Sequence, residues 1–132
     1  MFLKNLPLYL LFPVLLLLSS TAIAQTKSLK ITSFGAIADG ITNNATAIQK
    51  AIDKVSKSGG GKVIVPPGNF MTGTVWLKSG VTLHLELGAR LLGPTNRNDY
   101  AVVPDRPAVV MAENQQHGGI SGQGIIDGQG QE

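Results

Sequence analysis

Apolar residues recur at helical spacing between Thr42 and Gly61. Ala45, Ile48, Ile52 and Val55 fall on one stripe, which predicts an amphipathic helix over about 43–57. Thr42, Asn43 or Asn44 can cap its first turn with a short polar oxygen. Gly59-Gly60-Gly61 stops it, and Lys54 and Lys57 suit the negative end of its dipole. The pattern on either side is different. Leu29 and Ile31 alternate with Lys30 and Thr32, which predicts a strand from Ser28 to Ser33. Downstream, short apolar runs predict strands at 63–65, 74–77 and 108–112, with more at Ile120 and Ile125-Ile126. The clearest run is Val81, Leu83, Leu85 and Leu87, which alternate with Thr82, His84 and Glu86 and so face one side. Residues 94–107, rich in Asn, Asp and Pro, read as a loop.

Strands this short, with corners of Gly, Asn and Pro and no Asn-Gly hairpin pair, point away from a simple meander. They fit a solenoid, in which each rung buries its apolar residues against the next. A β-sandwich is the alternative, since strands every 8–12 residues or so also suit it. A helix ahead of the run of short strands favours the solenoid, whose open end needs a cap.

The chain has 132 residues, enough for one domain. One Trp, two Tyr and four Phe leave little for a broad aromatic platform. The formal charge is +3, and the basic residues are scattered, which argues against a nucleic-acid partner. The first residues carry Lys4, an apolar run from Leu6 to Leu18 and Ala22-Ile23-Ala24 before Gln25. This is the pattern of a secretory signal peptide over 1–24, cleaved between Ala24 and Gln25. An uncleaved anchor is the competing reading, and Pro7, Pro13 and the short apolar length speak against it. The expected location is periplasm or medium. There is no Cys, so export brings no disulfides and stability must come from packing and hydrogen bonding.

Three segments resemble known sequences. "FGAIADGITNNATAIQKAID" resembles the N-terminal signature of pectin-degrading β-helix proteins. "GGGKVIVPPGNFMTGTVWLKSGVTLHLELGARLLG" resembles their first coils, and "ISGQGIIDGQG" an early segment of glycoside hydrolase family 28, the polygalacturonase family. The resemblance runs from about Leu29 to Gly130 and implies an all-β fold, a right-handed parallel β-helix with one N-terminal capping helix and coils from about 62. It implies hydrolysis of α-1,4 galacturonosyl bonds in pectin with inversion, no cofactor, an acidic polysaccharide partner and a monomer. A pectate lyase-like enzyme needing Ca²⁺ and a basic Arg or Lys is the rival. A non-catalytic carbohydrate-binding or structural β-helix is the third reading.

Inversion needs one carboxylic acid at the leaving oxygen and a second carboxylate, roughly 6.5–9.5 Å away, to activate water. The family's acids lie in Asn-Thr-Asp and Asp-Asp motifs, followed by His-Gly and Arg-Ile-Lys. This sequence has no Asn-Thr-Asp, Asp-Asp or Arg-Ile-Lys. Its His117-Gly118 precedes the Ile-Asp-Gly-Gln-Gly segment, so the family role is not carried over to His117. The expectation is therefore an N-terminal section of a longer protein that ends here, at Glu132, a few coils in. Its catalytic residues are expected downstream of Glu132, with none, and no metal ligand, in this stretch.

Other residues invite a functional reading and have plainer ones. Asp127 and Asp39 each precede Gly, the chemistry of a turn. His84 and Glu86 share one strand face, where solvation is the ordinary state and His-x-Glu alone is a weak metal signal. Asp99 and Asp105 lie in the loop and can reach a substrate. Arg90, Arg97 and Arg106 can attract an acidic polymer or simply keep the surface soluble. The glycines of "GQGIIDGQG" are not a phosphate loop, because no helix and no Lys-Ser/Thr pair follow.

Overall fold

The computed structural model describes residues 26–100 and 108–130. The signal peptide expected over 1–24, with Ala24 and Gln25, lies outside these residues, as do Asp105 and Arg106. Glu132, beyond which the catalytic residues are expected, also lies outside them. Among the described residues, nine strands and one α-helix follow in order. They are β1 (Lys27–Lys30), α1 (Ala45–Lys57), β2 (Gly61–Val65), β3 (Gly68–Met71), β4 (Val75–Trp76), β5 (Val81–Leu85), β6 (Ala89–Leu92), β7 (Val110–Met111), β8 (Gly119–Gly122) and β9 (Ile125–Asp127).

Every pairing between these strands is parallel. Sheet A has the order β1-β2-β5-β8, sheet B β3-β6-β9 and sheet C β4-β7. The chain visits A, B and C in turn and then returns to A. Each circuit is one coil of a right-handed parallel β-helix. Because pairing is in register, inward residues stack in columns. Leu29, Val63, Leu83 and Ile120 form one column, and Phe70, Leu91 and Ile126 another. Val63, Val65, Val81 and Leu83 are fully buried in sheet A, and Phe70 and Leu91 are buried in sheet B. Each such side chain taken from water is worth about 1.5–3 kcal/mol.

The helix starts at Ala45, two residues later than the sequence predicts. Asn43 explains the difference. Its Oδ1 accepts from the Ala45 N–H at 3.0 Å, so Asn43 caps the first turn from outside it. Ile48, Ala51, Ile52 and Val55 are fully buried against the first coil. Lys54 and Lys57 occupy the last turn, and Gly59 follows at φ +95°, a left-handed exit that suits Gly.

The segment around α1 meets the first coil edge on. β1 pairs with β2 in sheet A. Asp39 bridges Asn69 of β3, and the Gly40 N–H donates to the Asn69 carbonyl at 2.9 Å. Asn44 is buried and donates from its backbone and its side-chain amide to the Met71 carbonyl. The Gln49 amide accepts from the Trp76 N–H at 2.8 Å and donates to the Trp76 carbonyl at 3.0 Å. A helix side chain thus takes the place that a neighbouring strand would hold beside β4.

Three expectations fail locally. The strand predicted over Ser28–Ser33 ends at Lys30, and Ile31–Phe34 forms a 3₁₀ turn closed by Gly35 at φ +92°. Turning there sinks Ile31 fully into the core beside α1. Leu87 does not join the inward set of Val81, Leu83 and Leu85. β5 stops at Leu85, and Leu87 sits on the corner into sheet B, 72% exposed. The strand expected over 108–112 is the two-residue β7. Among the described residues, no helix is long and apolar enough to cross a membrane.

Candidate functional site

The connection from β6 to β7 is long, whereas only 72–74 separate β3 from β4. Its described part is folded rather than trailing. The Asn96 Oδ1 accepts from the Asn98 N–H at 3.0 Å and caps a 3₁₀ turn at Arg97–Asp99. The Tyr100 hydroxyl donates to the Gly128 carbonyl at 3.0 Å. Gly93 lies directly under that hydroxyl, where a Cβ would collide, and its N–H donates to the Asp127 carbonyl at 2.7 Å. Likewise the Asp99 backbone rests on Gly73, which leaves no room for a side chain. On the far side of the loop the Thr74 hydroxyl donates to the Ala108 carbonyl at 2.8 Å.

These contacts frame a cavity of about 730 Å³. Its apolar wall is Val109, Ile120 and Ile126, and its polar rim includes Thr95, Arg97, Tyr100 and Gln129. No carboxylate is among its described lining residues. Ile120 and Ile126 belong to the inward columns of sheets A and B, so this wall is the open side of the core, with the Arg97 guanidinium and the Tyr100 phenol at its rim. Among its described lining residues there is no pair of carboxyl groups to serve as the acid and base of a glycosidase.

The carboxylates considered from sequence are engaged elsewhere. Asp39 Oδ1 accepts from the Ile41 and Thr42 N–H groups, and Oδ2 from the Thr42 hydroxyl at 2.6 Å. These bonds, the Thr42 hydroxyl foremost, lower its pKa to about 2. Asp127 closes β9. Its Oδ1 accepts from the Gln129 N–H at 2.9 Å and its Oδ2 lies 3.7 Å from Arg90. Asp99 is exposed in the 3₁₀ turn. The His84 imidazole Nδ1 lies 2.8 Å from the Ser121 hydroxyl, a contact between neighbouring strands and not with Glu86. No three His, Asp or Glu side chains cluster as metal donors among the described residues. His117, at φ +59°, borders a separate 330 Å³ hollow with Leu77, Gln115 and Ile120. Of the described arginines, Arg90 meets Asp127 and Arg97 reaches the cavity.

Sequence reasoning missed Tyr100 as the pin of the loop and Gln49 as the partner of β4. Tyr100 carried no periodic signal. Gln49 falls on the helix next to the buried stripe, so its position hinted at contact, but nothing in the pattern named the strand it meets.

Residues 28–127 match the family described as rhamnogalacturonase A/epimerase, pectate lyase-like. The chain is 40% identical over 129 residues to an exo-poly-α-D-galacturonosidase of Dickeya chrysanthemi, a match that covers 85% of this chain and 21% of that protein. It superposes on a family 28 exopolygalacturonase of Yersinia enterocolitica with a TM-score of 0.70 and 39% identity, covering 81% of this chain and 22% of that one. A hyperthermoactive exopolygalacturonase of Thermotoga maritima gives a TM-score of 0.71 and 32% identity, covering 78% and 25%. The chain thus spans about a fifth to a quarter of the length of these relatives.

Proposed function

Because the chain belongs to the rhamnogalacturonase A/epimerase, pectate lyase-like family, we propose that it forms the helix-capped opening coils of an exported glycoside hydrolase that cuts pectin. The reaction is hydrolysis of α-1,4 galacturonosyl bonds with inversion. The observation that carries this reading is the 40% identity to an exo-poly-α-D-galacturonosidase across most of the chain. The likeness to two solved exopolygalacturonases, each over about four-fifths of this chain, supports it.

The chain's own residues suit a supporting part in that chemistry. Arg97 and Tyr100 border a hollow walled by Ile120 and Ile126, inward residues of β8 and β9 that a following coil would cover, so they support the stack rather than the reacting bond. Asp39, Asp53 and Asp127 are held in turn bonds or ion pairs. The sequence lacks the Asn-Thr-Asp and Asp-Asp motifs. The acid and base are therefore assigned downstream of Glu132, to the larger part of the relatives' length that this chain does not span. Export through the signal peptide, with cleavage between Ala24 and Gln25, fits a polymer substrate too large to enter a cell. The enzyme works as a monomer and needs no cofactor.

Polygalacturonate treated with the protein from the intact locus should yield saturated uronides whose first-formed anomer is β, read by proton NMR. Unsaturated uronides absorbing in the ultraviolet, or activity that depends on Ca²⁺, would overturn the reading in favour of a lyase. The purified 132-residue chain should release no reducing sugar.

A further inference from the structure

Two basic residues that lie far apart in the sequence, Lys30 and Lys62, meet on one face of the fold. In sheet A, outward positions form two rows across the strands. One row is Ser28, Lys62, Thr82 and Gly119, and the other is Lys30, Ile64, His84 and Ser121. Lys30 and Lys62 are 32 positions apart in the chain, yet they are diagonal neighbours on adjacent strands, roughly 7–8 Å apart at the backbone. Both are exposed, and neither makes an ion pair or side-chain hydrogen bond among the described residues. By contrast, Lys78 lies on Asp53 at 2.7 Å and Lys27 reaches Ser58. No outward position of the four strands carries a carboxylate. Glu86 lies beyond the end of β5, at the corner. His84, Thr82 and Ser121 add hydrogen-bonding groups, with His84 fixed by Ser121 at 2.8 Å.

The strands present these groups about 4.8 Å apart along the solenoid axis. A polymer with a carboxylate on every sugar ring presents its charges at intervals of that order, and four strands of sheet A follow one another along the axis. We propose that the outward face of sheet A is a second polysaccharide-binding surface. It holds a polyuronate along the axis through Lys30 and Lys62, away from the cavity between the β6–β7 loop and β9. The substrate class is taken from the function proposed above, while the surface and its residues are independent of any catalytic step. The committed occupant is an acidic polysaccharide, because the outward strand positions offer two free ammonium groups and the nearest carboxylate on that strand, Glu86, sits at the corner beyond β5.

The test is affinity electrophoresis of the full 132-residue chain in native gels that contain polygalacturonate. The chain should be retarded, and Lys30→Ala/Lys62→Ala should weaken the apparent affinity about tenfold, as expected when two charge-assisted contacts are lost. Lys30→Arg/Lys62→Arg should restore it. Lys50→Ala/Lys54→Ala removes the same charge from α1 and should leave retardation nearly unchanged. Equal weakening by the α1 variant would reduce the effect to net charge and overturn the proposal. Equal retardation by fully methyl-esterified polymer, stronger retardation by DNA than by polygalacturonate, or no retardation of the unsubstituted chain would also overturn it. Binding is read here without turnover, so a lyase product pattern would refute the proposed reaction and leave this surface standing.

Discussion

Leu83 and Ile120 stand in the same inward column of sheet A, one strand apart, but Leu83 is fully buried and Ile120 is 50% exposed. Sheet B repeats the contrast: Leu91 is fully buried and its neighbour Ile126 is 40% exposed. The side chains are alike and point the same way. What differs is the next layer. At the helix end, β1 pairs with β2, residues 39–44 lie along β3, and the Gln49 amide holds the edge of β4. Among the described residues no strand pairs with the far side of β8 or β9. In a solenoid, burial is therefore conferred by the neighbouring coil, not by the residue's own strand.

The largest test of this contrast is a pair of truncations. Leu83→Ala should cost about 2–5 kcal/mol through lost transfer energy and a cavity. Ile120→Ala should cost less than about 1 kcal/mol, because half of that side chain is already in water. Urea unfolding of both variants reads the difference, and equal losses would break the comparison.

Next in size is the seal on β4. Gln49→Ala leaves the N–H and carbonyl of Trp76 without their protein partners. A loss of about 1–3 kcal/mol is expected. Gln49→Glu, which keeps an acceptor but has no donor for the Trp76 carbonyl, should not recover it. Full stability in both variants would show that water serves this edge equally well.

A smaller effect is expected at the Asp53–Lys78 pair, which lies 2.7 Å apart with side chains 35% and 43% exposed. Burial alone would raise the Asp53 pKa. The hydrogen bonds from Lys78 and Gln49, with the charges of Lys78 and Lys57, outweigh that and lower it. Solvent screening still limits Lys78→Ala to about 0.5 kcal/mol or less. Thermal unfolding should show little change, while NMR titration should show the Asp53 carboxyl moving up.

The smallest effect concerns acid. Asp39 is lowered from 3.8 to about 2 in the folded chain. A depressed carboxyl stabilises the fold above its unfolded pKa, and that contribution is lost as pH falls from about 4 through about 2. Thr42→Ala removes the leading hydrogen bond. The carboxyl should then titrate closer to its ordinary value and the acid limb of stability should flatten. An unchanged titration curve would remove Thr42 from the account.

The parts legible in the sequence were those set by short periodicity. The stripe of Ile48, Ile52 and Val55 and the alternation of Val81, Leu83 and Leu85 both bury as their spacing requires. Legibility failed where a distant partner decided the outcome. Ile31 leaves strand alternation because α1 offers it a core position, and Leu87 falls on a corner that alternation alone does not announce. The cavity was the least legible part. It depends on Tyr100 reaching Gly128 and on Asp99 lying over Gly73, contacts with no local pattern. The face shared by Lys30 and Lys62 was hidden for the same reason, since strand register joins residues that the chain holds far apart.

Register has a further consequence for how such a chain can change. Twenty positions separate the paired residues Lys62 and Thr82, and 37 separate Thr82 from Gly119. The second circuit is nearly twice as long as the first, yet its inward columns stay aligned, because most of the surplus sits between β6 and β7. Insertions and deletions at that corner leave the stack undisturbed, whereas a single inserted residue within β5 would turn its buried side chains outward. Heritable length variation is thus channelled to that corner, where new sequence can be added without renegotiating the core.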